Sequence, residues 1–316
     1  MFTTRDARAL QRSARAIALA VVVATIACAE DAPVESTRID VTDVGFMTPE
    51  SIAHDTVDDV YLVTNINGSP FERDDNGFIS RVNPDGSVAN LRWIDGASQN
   101  LTLHAPKGIA IRGDSIFVAD INCIRIFHRV TGAAADGECI EGATFLNDVA
   151  VGPEGSVFVT DSGFSEGEDG SFVPSGTDGV YRYPFAEGRS GATLAKDPGL
   201  GHPNGVAVTG GRILVVTFGT GEILNFTAAG QKTQVTQRPD GQLDGIVFTN
   251  AGGFMFSNWT DSTVYHVAAG GQVTRLLEQL PSPADIGYDA RRNRVLVPLF
   301  TTNALVFQDL EPAGGT

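Results

Sequence analysis

An all-β ring of six repeated units is the architecture this sequence predicts, on three observations. Apolar patterns with a helical period are missing from the 316 residues; short runs rich in Val, Ile and Phe recur instead, punctuated by Gly, Asp, Asn and Pro. One phrase of two apolar strands around a turn is repeated six times. The repeats are spaced by 40 or 57 residues, room for several short strands per unit. Together these describe a six-bladed β-propeller, and 42% hydrophobic residues suffice for its core.

The phrases are PESIAHDTVDDVYLVTN from residue 49, PKGIAIRGDSIFVAD from 106, LNDVAVGPEGSVFVTD from 146, PNGVAVTGGRILVVTF from 203, LDGIVFTNAGGFMFSN from 243 and PADIGYDARRNRVLVPLF from 283. Each opens on Pro or Leu, then a variable position, then Ser, Gly or Asp. The first strand of each phrase is expected innermost, with the second running back beside it. The last unit has three evident strands, ending in NALVFQDL at 303–310. Upstream of the first unit lies an orphan strand, STRIDVTDVGF at 36–46, which is expected to complete blade six and remove an exposed edge.

The variable positions are Glu50, Lys107, Asn147, Asn204, Asp244 and Ala284, spaced by 57, 40, 57, 40 and 40 residues. As starts of six inner strands they converge on one end of the central channel. The two longer spacings hold two long loops on that same face, 65–77 and 162–179, read as walls or lids over the channel mouth.

The first residues form a separate object. Arg5, Arg8, Arg12 and Arg15 precede the apolar stretch AIALAVVVATIA at 16–27, which is too short for a stable anchor and fits an export signal. It ends in Thr25-Ile26-Ala27-Cys28, similar to a bacterial lipobox, which implies lipidation of Cys28; plain cleavage near Ala27 or Ala29 is the blander alternative. The organisation expected is a signal peptide over 1–27, a tether over 28–36 and a propeller over 37–316. The product would be exported, periplasmic or held at the cell envelope.

Net charge is −16; without segment 1–27, which carries +3, it is −19. Such a field repels nucleic acid and attracts cations, so nucleic acid is excluded as a partner; solubility alone is the simpler reason for the acidity. Export permits disulfides. Cys123 and Cys139 flank a strand and turn centred near Thr131, which predicts a disulfide within one hairpin. Two buried free thiols are the alternative. A closed ring needs no partner for stability, so a monomer is expected.

Glu50, Asn147, Asn204 and Asp244 form an all-oxygen set, the chemistry of a hard cation such as Ca²⁺. No thiolate or imidazole stands at these positions, which argues against zinc. The alternative is that the four bond one another and trapped water. Asp148 and Asp285 are expected behind the ring or at its rim, Asp148 orienting Asn147 or pairing with Lys107. Lys107 is the odd member of the ring. It would bind a substrate carboxylate or oxyanion, or else pair with Glu50 and displace the cation.

The phrases PES, LND, PNG and LDG, four in order over about residues 37–310, resemble the metal-site phrases of the regucalcin/gluconolactonase family, and more distantly paraoxonases. That resemblance implies a six-bladed propeller with one catalytic Ca²⁺ held by Glu50, Asn147, Asn204 and Asp244. In sugar-lactonase members an Arg two residues before the first Asn helps bind substrate; here that position is Phe145, which weakens the case for a sugar lactone. The histidine pair of the paraoxonases is not located in this chain.

A calcium-dependent hydrolase of a small-molecule lactone or other ester is therefore the leading expectation. Ca²⁺ would polarise the carbonyl. Asp244 would double as ligand and as general base or nucleophile, ionised at neutral pH beside the cation. Lys107 or His202 would orient the substrate. His202, directly before Pro203-Asn204, and His104, three residues before Lys107, are predicted near the rim, where a solvated loop position is the simpler reading. The second class is an exported binding or scaffold propeller without turnover, with a structural metal or none. A third is strictosidine-synthase-like chemistry on the same architecture without a metal.

Overall fold

The computed structural model describes residues 37–98, 101–184, 191–237 and 241–310. The expected signal peptide, the tether and Cys28 lie outside the described residues. These residues form six four-stranded antiparallel sheets and one two-stranded hairpin, the sheets being the six blades. Among them no helix is long and apolar enough to cross a membrane.

The inner strands are Pro49–Asp55, Pro106–Arg112, Leu146–Val151, Pro203–Thr209, Leu243–Phe248 and the short Gly287–Asp289. Their partners, among them Val60–Asn65, Ser115–Asp120 and Arg294–Leu299, are buried almost throughout. Each is sandwiched between the neighbouring blades, so both faces are apolar and the sequence reads as a continuous run such as VYLV or VLVP. Outer strands such as Ala134–Cys139 are exposed along their length. The core is correspondingly divided among the blade interfaces. One cluster joins Phe117 and Ile124 of blade two to Val149, Val159 and Tyr181 of blade three.

The ring closes twice. On the outside Arg38–Val41 pairs with Ala304–Asp309, in the register Arg38 to Gln308 through Val41 to Leu305, as the orphan strand predicts. In the channel the Asp285 N–H donates to the Glu50 carbonyl at 2.9 Å, and Ser51 Oγ donates to Asp285. Residues 162–179 hold a feature the sequence does not predict, a hairpin of Phe164–Glu166 with Phe172–Pro174. Cys123 and Cys139 are direct cross-strand partners in blade two and are joined by a disulfide, the expected pairing.

Candidate metal centre

A bulge places each ring residue. In the first five inner strands the ladder skips from the opening Pro or Leu to the residue three further on, so two residues face one partner. The skipped pairs are Glu50-Ser51, Lys107-Gly108, Asn147-Asp148, Asn204-Gly205 and Asp244-Gly245. Where the opposite residue is Thr64, Thr160 or Ser257, its hydroxyl accepts the freed N–H at 2.8–3.0 Å. The second residue of the pair is Gly where the next blade crowds it. A Cβ on Gly108 would stand 2.4 Å from the Asp148 Cα, and one on Gly245 2.3 Å from the Ile286 N.

The bulge sends its two side chains to opposite mouths of the channel. Glu50, Lys107, Asn147, Asn204 and Asp244 line a cavity of about 450 Å³ on the long-loop face. Asp148 and Asp285 line another of about 290 Å³ at the far end. Asp148 therefore neither orients Asn147 nor pairs with Lys107, contrary to the sequence expectation. Its Oδ1 and Oδ2 accept the N–H groups of Val149 and Val206, each at 2.6 Å. Asn147 is oriented by Ser162 instead, to whose Oγ its Nδ2 donates at 2.9 Å.

The four expected ligands are each no more than 6% exposed. Among the described residues each leaves one buried oxygen without a hydrogen-bond partner: Glu50 Oε2, Asn147 Oδ1, Asn204 Oδ1 and Asp244 Oδ1. Burial pushes the Glu50 carboxyl well up, and Asp244, Asp285 and Asp148 push it further. Burial and then Asp285 do the same to Asp244. Burial lifts Asp285 to about 7 against the hydrogen bonds from Ser51 and Asp148. The low pKa expected for Asp244 thus requires a cation beside it. Two carboxylates and two carboxamide oxygens, buried and unpaired, fit a hard divalent cation by charge and donor type.

Lys107 does not occupy that place. Lys107 is 1% exposed, and its ammonium donates to the carbonyls of Pro70 at 3.3 Å and Ala105 at 3.2 Å. It also lies 4.2 Å from the centre of the Phe145 ring. Among the described residues it makes no ion pair with Glu50. Burial pushes it down to about 8, while Asp120, Glu50 and Asp161 pull it up.

Neither rim histidine reaches the cavity. His104 Nδ1 meets Asp75 at 3.0 Å, at the base of the 65–77 loop. His202 stacks on Phe164 at 4.2 Å, and its Nδ1 lies 2.8 Å from the Ser162 carbonyl. Both are partly or fully buried in structural roles, which corrects the solvated reading. The two long loops do meet over the mouth. Phe71 packs on Phe172 at 4.8 Å and on Phe145 at 5.0 Å, and Ser69 Oγ donates to Glu166 at 3.4 Å.

The aromatic wall above the ring was not legible as part of the site. Phe218, Trp259 and Phe300 line the cavity, each directly after its blade's second strand. The signal was present, since VVTF, FSNW and VPLF place them 41 residues apart. Trp259 also brings its buried indole N–H to the same cavity as Asp244, whose carboxyl it draws down against burial.

No protein-family model and no curated protein matches the sequence. Solved structures share its fold. A gluconolactonase from Xanthomonas campestris is 18% identical at a TM-score of 0.68, over 88% of this chain and 90% of that one. A catalytically inactive virginiamycin B lyase from Staphylococcus aureus, solved with quinupristin, is 14% identical at 0.60, over 87% and 100%. A chain of a nidogen/laminin complex is 18% identical at 0.57, over 74% and 81%. Enzymes and a chain of a nidogen/laminin complex thus share one architecture, and the site must decide among chemistries. In fold, this chain is similar to the gluconolactonase propeller, six blades around one channel, as its repeated phrases imply.

Proposed function

We propose that the protein is a calcium-dependent hydrolase of a lactone or other ester. The observation that carries this reading is the set of four buried oxygens without partners, one each from Glu50, Asn147, Asn204 and Asp244, at the floor of one cavity. These four residues would hold Ca²⁺, which supplies Lewis-acid polarisation of the substrate carbonyl when bound. Asp244 has the position and charge to take a proton from an attacking water, or to attack as a carboxylate nucleophile. Lys107, the cation among the residues lining the cavity, orients the polarised carbonyl oxygen. The paired loops 65–77 and 162–179 limit the entry of bulk water. The gluconolactonase neighbour supports the reaction class.

Export, with a lipid anchor on Cys28, belongs to the same proposal. The disulfide supports it, since such bonds persist in oxidising compartments.

The test is calorimetric titration of Ca²⁺ into chelator-stripped protein, alongside Glu50→Gln and Asp244→Asn. One-to-one binding that both variants lose supports the reading; a wild type that binds no Ca²⁺ overturns it. The second reading, a binding propeller without turnover, is favoured by the half-exposed Phe172 and Val173 on the hairpin tip, 50% and 42% exposed. It predicts no hydrolysis of any lactone or aryl ester with Ca²⁺ bound.

A further inference from the structure

The floor and the wall of the cavity are made by two repeated positions of opposite character. The first residue of each bulge supplies the polar floor. The residue after each second strand is apolar in five of six blades, Ile66, Ile121, Phe218, Trp259 and Phe300, with Ser162 the exception, and four of the five, Ile66, Phe218, Trp259 and Phe300, line the wall. Ile66, Ile121 and Phe300 pack together beside the mouth. The opposite side is closed by Phe145, Phe164 and Phe172, whose ring centres lie 5.4–5.9 Å from one another.

We infer that the substrate is an ester or lactone with an apolar alkyl or aryl substituent, not a polyhydroxylated one. The inference rests on the hydrolase reading above. A cavity of about 450 Å³ admits a ring and a side chain beyond it. Apart from the four ring residues with open oxygens, the polar side chains lining the cavity are few: Thr48, Gln242, Trp259 and Lys107. Lys107 is already engaged by two carbonyls and the Phe145 face. A lactone carbonyl needs one or two such donors. Ring hydroxyls set against Phe218, Phe300 and Phe164 would lose water and gain no partner, at about tenfold in affinity each. Methylenes set there gain about three- to fourfold each. Phe145 contributes directly, because its ring, held under the Lys107 ammonium, lines the cavity with apolar surface.

The experiment compares kcat/KM of the Ca²⁺-loaded protein for δ-valerolactone, δ-hexalactone, δ-octalactone, δ-decalactone and glucono-δ-lactone, which share one reacting ring. In parallel, binding of the matching alkyl-substituted δ-lactams, which resist hydrolysis, is followed by Trp259 fluorescence with Trp259→Phe as the control. The expected result is a rise of about threefold per methylene in both series and a preference for decalactone over gluconolactone of at least about 100-fold. Phe172→Ala, at a half-exposed site, should flatten both slopes, and Phe172→Leu should restore them. Turnover without chain-length dependence, or with gluconolactone preferred, overturns this inference and leaves the hydrolase reading standing. Chain-dependent lactam binding without turnover of any lactone overturns the hydrolase reading alone. Neither binding nor turnover overturns both.

Discussion

The first inner strand carries a buried charge problem at each end, and the two are solved in opposite ways. Near its start, Glu50 faces Asp244 in the channel, and among the described residues no cationic side chain bonds either. Near its end, His54 lies 3.0 Å from Asp59 and 3.2 Å from Asp289. These three could by spacing alone hold a metal, since their ligand atoms lie within 4.8 Å of one another. Yet Arg292 already fills that role, bonding Asp59 at 2.6 Å and Asp289 at 2.7 Å. Tyr61 donates to Asp289 at 2.8 Å, and Arg291 adds a pair to Asp59. The Arg292 bonds therefore hold Asp59 well below its ordinary range. Burial pushes Asp289 up, but Arg292 and Tyr61 outweigh it and hold it low. The difference teaches what separates a structural cluster from a candidate site. The first neutralises itself and pins blade one to blade six. The second has surplus negative charge and oxygens that face a cavity.

The sharpest way to break that contrast is to alter the ring. Asp244→Asn and Glu50→Gln should each weaken Ca²⁺ binding by at least about 100-fold and lower kcat by about 1000-fold, read by calorimetry and initial rates. In the metal-free state the same substitutions should raise stability, by about 1–3 kcal/mol, because each removes a buried carboxylate that has no compensating charge. Loss of stability in metal-free Asp244→Asn would mean that the ring is held together by its own hydrogen bonds. Arg292→Met should do the reverse. It leaves Asp289 buried and underpaired at a cost of about 3 kcal/mol in urea unfolding, with Ca²⁺ affinity unchanged.

The pH dependence of the metal-free protein should divide along the same line. Asp285 is raised to about 7 from an ordinary 3.8, so the folded state binds its proton more tightly than the unfolded state does. Its contribution is complete below pH 4 and declines as pH rises toward 7, by on the order of 4 kcal/mol. Asp59 and Asp289 are depressed, so their contribution is present above pH 4 and is lost as pH falls below it. Metal-free protein should therefore be most stable near pH 4–5, and Ca²⁺ should flatten the decline toward pH 7. A thermal melt series with and without Ca²⁺ reads this directly. A flat metal-free profile between pH 4 and 7 would show that the channel carboxylates are already compensated.

Much of this was legible because the bulge interrupts an otherwise apolar strand. Glu50, Asn147, Asn204 and Asp244 break the pattern at one position of a repeat, and a polar residue before a buried strand needs a reason. The closing strand was legible from a missing edge and the disulfide from a hairpin midpoint. The partners were not. Lys107 is bonded by a carbonyl 37 residues away, and Asp289 meets Tyr61 across 228 residues. Neither pairing leaves a periodic trace. Phe164 and Phe172 belong to strands of three residues, too short for alternation to register. Phe218, Trp259 and Phe300 did repeat, but an aromatic residue after an apolar strand reads as core until a cavity is seen beside it.

The smallest effect concerns Lys107, the residue that stands between the two solutions. It is a buried cation near Glu50, yet its bonds go to carbonyls and an aromatic face. Its pKa of about 8 lies below the ordinary 10.5, so its burial opposes folding below pH 8, and that opposition fades as pH rises toward 10.5. Lys107→Met removes that penalty and keeps the volume, but strands the carbonyls of Pro70 and Ala105. The two terms nearly cancel, and stability at pH 7 should change by no more than about 1 kcal/mol. The loop should respond more than the fold does, because Pro70 loses its link to the inner strand. Amide exchange across 65–77 should accelerate while exchange in Ser115–Asp120 stays as it was, and kcat should fall about tenfold. A drop of several kcal/mol would instead mean that Lys107 neutralises Glu50 through the cavity, and that the channel resembles the Arg292 cluster more closely than its open oxygens suggest.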